Sequence, residues 1–226
     1  MNKPIQNIVS LPKGMLLFLA IYALSFPALL VEHLVFHSDV MESWIGFSPA
    51  LVWKGQLWRM VSYELFAGSA IAWAVNLFWF VTLILILARD WSPLNFWIFC
   101  LFTAFAGAVP IGLAFPQLNA PLLSAGAVIF GLLAAWVRLY GRERLIMVGI
   151  GEMSVRQAAL IIAAINAVVS FFGTLPCGGI WVAFIFTFSL FCGGLAGWAW
   201  LAIRDKRVMS RGSQMAESER IARLEL

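Results

Sequence analysis

The chain has little charge and almost no histidine. Asp, Glu, Lys and Arg make up 12% of its 226 residues, where a soluble domain carries about 25%. That deficit excludes a cytosolic enzyme, a disordered chain and a nucleic-acid module, so no nucleic-acid partner is expected. His33 and His37 are the only histidines. Cysteine is scarce too: Cys100, Cys177 and Cys192 are scattered without C-x-x-C spacing, which argues against a metal site and a disulfide framework. Neither a metal nor another cofactor is expected.

What the chain has is apolar sequence: 62% hydrophobic residues and a mean hydropathy of +0.92. A membrane-crossing helix needs about 20 such residues. Residues 14–31 are uncharged and follow Lys3 and Lys13; no small-x-small cleavage site comes after them, so a retained span is expected, not a signal peptide. Residues 32–64 carry charges and Trp44, Trp53 and Trp58. Tryptophan prefers the headgroup level, which predicts an interfacial loop against membrane lipid. Residues 65–88 form a second uncharged run. Residues 91–137 and 157–203 are each 47 residues without a charge, long enough for two spans apiece, and are divided at 115–121 and near 173–179. The expected fold is an all-α polytopic membrane protein with a six-span domain over 1–203 and a polar cytoplasmic tail over 204–226.

The net charge of +4 reports topology. On a six-span map Lys54 and Arg59 fall on one side and the other thirteen Lys and Arg on the opposite side. The positive-inside rule then places both termini in the cytoplasm of a bacterial-type inner membrane. The uncharged runs hold no Asp, Glu, Lys, Arg or His, which disfavours proton-coupled transport and carriage of charged solutes; a carrier or channel for an uncharged solute remains an alternative. Small residues recur at helical spacing. Gly193 and Gly197 lie four apart beside Gly194 on the last span, and Ser124, Ala125, Gly126, Ala127 and Gly131 crowd the fourth. These two spans are expected to pack closely.

Several segments stand in a telling order. They are Phe47-Ser-Pro-Ala-Leu51, Gly55-Gln-Leu-Trp-Arg59, Ala72-Trp-Ala-Val-Asn76, Ala125-Gly-Ala-Val-Ile-Phe-Gly-Leu-Leu133, Gly141-Arg-Glu-Arg-Leu-Ile-Met147 and Gly193-x-x-x-Gly197. Together they resemble the rhomboid family of intramembrane serine proteases across roughly residues 47 to 200. The resemblance implies a compact six-helix bundle whose site opens to the non-cytoplasmic face. It places the family's nucleophile at Gly126, its base at Leu190 or, one register away, Phe191, and its oxyanion pair at Ala72 and Asn76.

Only Asn76 keeps the family residue type. A serine nucleophile needs a base, and neither Leu190 nor Phe191 accepts a proton. The pattern resembles that of pseudorhomboids, catalytically inactive members that bind transmembrane helices of other proteins. Gly126, Gly131, Gly193 and Gly197 are expected to serve packing, and Asn76 an interhelical hydrogen bond. Trp58 and Arg59 are expected to anchor the loop, and the family's acid at the end of the second span maps to Ala88, with Asp90 close by. Ser124 reads as a helix cap; its alternative role is a displaced nucleophile in an active protease. The chain is expected to be a subunit of a hetero-oligomeric membrane complex. Trp44, Trp53 and Ile221 are candidate partner contacts, Ile221 within a short helix over 213–226 whose apolar face is Met215, Ala222 and Leu226.

Overall fold

A computed structural model describes the backbone of residues 11–88, 90–147 and 151–224, and the side chains of these residues except 146, 147, 151, 173, 176–178 and 205–224. Lys3 and Arg89 lie outside the described residues, as do the side chains of Cys177, Met215, Ile221 and Ala222 and the whole of Leu226.

Each uncharged run forms helix, because a bilayer offers the backbone no hydrogen-bond partners and the helix supplies its own. Helix α1 is Lys13–Val31, continued by a π-helical turn over Glu32–Phe36 that ends at His37 with φ 49°. The segment that follows holds three short helices, α2 Val40–Ile45, α3 Pro49–Val52 and α4 Arg59–Ser62, followed by a 3-10 turn over Tyr63–Leu65. Helix α5 is Ala70–Leu87 and α6 is Pro93–Ala114. Their first turns are capped by Ser69, whose hydroxyl accepts from the Ala72 N–H, and by Ser92, which accepts from Asn95. Helix α7 is Gly126–Tyr140 and α8 is Val155–Leu224, the latter broken at Gly179, where φ is 75°.

Among the described residues, five helical segments are long and apolar enough to cross a membrane: Lys13–Phe36, Ala70–Leu87, Pro93–Ala114, Val155–Phe172 and Gly179–Arg204. The molecule is thus a helical, multi-pass membrane bundle. Helix α7 is different. Its 15 residues reach about 22 Å at ~1.5 Å per residue, short of the ~30 Å hydrocarbon core. Nine of them are buried, on all sides of the helix, so α7 is the central post around which the others stand.

Residues 144–147 and 151–154 depart from the all-helical expectation. Strands β1 Arg144–Met147 and β2 Gly151–Ser154 pair antiparallel, with Leu145 opposite Met153. Both of these side chains turn to the bundle core, and Arg144 meets Glu152 at 3.7 Å. A stretch of four apolar residues beside charges gives too short an alternation to be told from a loop.

The core is aromatic where α1, α5 and α6 meet. Phe18 stands edge-on to Phe80, Phe96 and Trp97 at 5.1–5.4 Å. The two ends of the bundle differ. Trp97 donates to the Gly14 carbonyl, the Tyr140 hydroxyl meets the Asp90 carboxylate, and Arg138 and Arg204 lie over the rings of Trp198 and Trp91. The segment over 40–65 closes the opposite end, joined to the α6–α7 connection by mutual backbone hydrogen bonds between Phe47 and Leu122.

Where α6, α7 and α8 cross, backbones nearly touch. A Cβ on Gly193 would stand 2.4 Å from the Ala127 carbonyl oxygen, one on Gly197 2.9 Å from the Gly131 backbone, and one on Gly131 2.5 Å from Thr103. Small residues permit this approach, which in a membrane replaces the hydrophobic drive for association.

Candidate functional site

The segment over 40–65 is held by Arg59. This residue is 4% exposed, and its guanidinium donates to the Gly46 carbonyl at 2.7 Å and to the Gln56 side-chain oxygen at 2.6 Å. Ser62 donates to the Ile45 carbonyl, and the Trp58 indole donates to Trp44. The rings of Trp44 and Trp58 stack. The segment is a folded ledge, and it leaves Trp44, Trp53 and Leu57 more than 60% exposed.

The ledge is fastened to α7 by Glu64. This residue is 2% exposed, and its carboxylate accepts from the Ala127 and Val128 N–H groups, both at 3.2 Å. These are donors that the first turn of a helix leaves unpaired. The adjacent Tyr63 carbonyl accepts from the Ser124 N–H, while its hydroxyl donates to the Ala104 carbonyl on α6. Burial pushes the Glu64 carboxyl up to about 8, against the Val128 N–H, the Tyr63 hydroxyl and the Ala127 N–H, which favour the anion. Glu64 is the only buried acid among the described residues.

Gly126 opens α7 directly below this clamp. A Cβ there would stand 2.3 Å from Leu190 Cδ2. Leu190 is 5% exposed and projects from α8 into the space a side chain at 126 would need. Phe191, one position on and so about 100° around the helix, points outward and meets Phe130 edge-on at 5.3 Å. Gly126 and Leu190 are thus brought together, and Phe191 is not part of the pair. The contact is apolar on both sides.

The remaining family positions stand apart from it. Ala72 is exposed near the start of α5, and Asn76 is half-buried. The Asn76 amide approaches the Tyr22 hydroxyl of α1 without closing a well-formed hydrogen bond. The Ser124 hydroxyl accepts from the Gly126 N–H at 3.2 Å, and Ala125 is the cap position itself. Ser124→Ala is expected to cost about 0.5–1 kcal/mol, read as a small fall in thermal midpoint. His33 is exposed and pairs with Asp39 at 3.2 Å, lining a cavity of about 220 Å³ with Leu123, Gly68, Glu32 and Glu42. Ser124 is not among that cavity's lining residues.

Six hydroxyl and amide groups within the helices are spent locally, whereas the buried Thr187 hydroxyl has no partner among the described residues. Ser25, Thr82, Thr103, Asn166, Thr174 and Ser189 each donate to a carbonyl three or four residues back. Among the described residues no group of three or more His, Cys, Asp or Glu is placed to hold a metal ion. Sequence reasoning missed Glu64. The available signal was a lone acid between Arg59 and a long apolar run, a place where a charge needs a reason. No family model and no curated protein matches the chain.

Proposed function

We propose that the chain is a rhomboid-like membrane protein that does not cleave peptides and instead binds membrane-spanning helices of partner proteins, as an accessory or assembly subunit of a larger complex. Six spans with both termini in the cytoplasm of a bacterial-type inner membrane complete this reading, with the short α7 as the fourth. The observation that carries it is the Gly126–Leu190 contact. At the two positions where the resemblance puts nucleophile and base, this chain has a leucine packed against a glycine. No oxygen there can attack and no nitrogen can take its proton. What supports helix binding is the packing of α5. Among the described residues it rests on α1 and α7 and makes at most marginal contact with α8. On the neighbours of α7, Phe78 and Val75 on α5 and Ile165 and Val168 on α8 present exposed apolar side chains.

A fluorophosphonate probe tests the loss of cleavage. The native protein is expected to stay unlabelled, and so is Gly126→Ser, because nucleophile and base act as a unit. Labelling of the native protein that disappears in Ser124→Ala would establish the active-protease alternative. For the topology, a membrane-impermeant maleimide on intact spheroplasts is expected to react at Cys177 or at no cysteine. Reaction at Cys177 only after the membrane is opened would invert the orientation.

A further inference from the structure

A cavity of about 450 Å³ opens between the ledge and the α6–α7 connection. Ala50, Trp53 and Lys54 form one wall, and Pro116, Gln117 and Asn119 form the other. That volume falls within the roughly 300–1,000 Å³ of small-molecule sites. The walls are tied together. The Ala50 N–H donates to the Leu118 carbonyl at 3.1 Å, and the Ser48 hydroxyl reaches the Leu118 carbonyl and the Asn119 side-chain oxygen at 3.4 and 3.3 Å. The cavity is therefore preformed, and it plays no part in the proposed helix binding.

We propose that this cavity holds the anionic phosphate headgroup of a membrane glycerophospholipid, with Lys54 as its cation and the Gln117 and Asn119 amides as its hydrogen-bond donors. The inference uses no family position and does not depend on the rhomboid-like reading.

The lining offers donors and no acid. Lys54 is exposed and makes no ion pair among the described residues. Lys54 and Arg59 are the only Lys or Arg between residues 14 and 88, and Arg59 is buried and committed to Gly46 and Gln56. The acids of this end lie elsewhere: Glu32, Asp39 and Glu42 line the cavity beside His33, and Glu64 is buried against α7. The Asn119 side-chain oxygen is taken by Ser48, which leaves its NH2 group to donate. The Gln117 side chain is exposed and makes no hydrogen bond among the described residues. The Trp53 indole N–H is spent on the Gly112 carbonyl at 3.3 Å, so its ring joins Ala50 and Pro116 as an apolar wall. A cation with two amides suits a phosphate diester, and the apolar wall suits the glycerol and first acyl carbons attached to it. Free phosphate would leave that wall without an occupant. The surroundings agree. Trp53 and Leu57 are 65% and 64% exposed, and exposed tryptophan and leucine flanking a lysine are the pattern of the headgroup level, where the lysine stem lies among apolar groups and its ammonium reaches phosphate.

The test uses the full-length protein in phosphatidylcholine nanodiscs that carry a trace of phosphatidylglycerol with a photoreactive headgroup. Crosslinked peptides are mapped by mass spectrometry. Crosslinks are expected within residues 48–57 and 115–121. Replacing part of the phosphatidylcholine by unlabelled phosphatidylglycerol should compete them away, and adding inorganic phosphate should not. Lys54→Gln should lower crosslinking at these segments about fivefold, the worth of one lysine at an anionic surface. Lys13→Gln, at the opposite end of the bundle, should leave it unchanged. Both lysines are exposed, so neither substitution disturbs packing. Crosslinks absent from both segments, crosslinking undiminished in Lys54→Gln, or no competition by phosphatidylglycerol would each overturn the site. Competition by inorganic phosphate as effective as that by phosphatidylglycerol would assign the cavity to a free anion and overturn the lipid.

Discussion

Gly193→Leu is expected to abolish the folded bundle, while Gly194→Ala at the next position leaves it intact. A Cβ on Gly193 would lie 2.4 Å from the Ala127 carbonyl oxygen and 2.8 Å from its Cα and carbonyl carbon. All three are backbone atoms, and none can move without displacing α7. Overpacking a well-filled core costs about 1–3 kcal/mol even where side chains can yield, and here nothing yields. A Cβ on Gly194 finds its nearest neighbour at 3.5 Å, an ordinary contact, so its effect should stay within about 0.5 kcal/mol. Thermal unfolding of both variants in mild detergent checks this. A Gly193→Leu protein with a native-like midpoint would mean that α7 and α8 do not cross at Ala127.

Arg59→Ala should be nearly as damaging, by a different route. Its guanidinium makes the two hydrogen bonds that fold the ledge, to Gly46 and Gln56. Removing it leaves the Gly46 carbonyl without that partner under the ledge. Losing a charge-assisted bond and stranding its acceptor costs about 2–4 kcal/mol. Arg59→Lys should recover only part of this, since an ammonium cannot reproduce the planar fork. Limited proteolysis reports the outcome: cleavage between residues 46 and 60 should accelerate in Arg59→Ala before the helices themselves unfold. Equal protease resistance in the native and Arg59→Ala proteins would show that the ledge has another anchor.

The spans were legible because charge punctuates them. The uncharged run over 91–137 yields α6 and α7, and the dividing segment with Pro116 and Pro121 falls between Ala114 and Gly126. The run over 157–203 yields the two parts of α8, broken at Gly179, where a positive φ suits the one residue without a Cβ. The shortness of α7 was not legible. Its start is set by Ser124 and Glu64, and Glu64 is brought there from 62 positions upstream of Gly126 by the folding of the ledge. The pairing of 144–147 with 151–154 escaped notice because it is local and its strands have four residues each.

At the candidate site, sequence left a one-residue ambiguity between Leu190 and Phe191. Helical geometry resolves it, since neighbours about 100° apart cannot both face Gly126. Glu64 was out of reach for a physical reason. Its partners are backbone N–H groups of a distant helix, and backbone donors carry no mark in a sequence.

The central claim is that this bundle holds a partner's membrane-spanning helix without cutting it. The most direct measurement places a photo-crosslinking amino acid at Phe78, 61% exposed on α5, in native membranes, and maps the product by mass spectrometry. The account predicts a crosslink to the membrane-spanning segment of another protein at full length. It would be contradicted by a partner found cut within that segment, with the cut absent in Ser124→Ala, or by crosslinks to lipid alone.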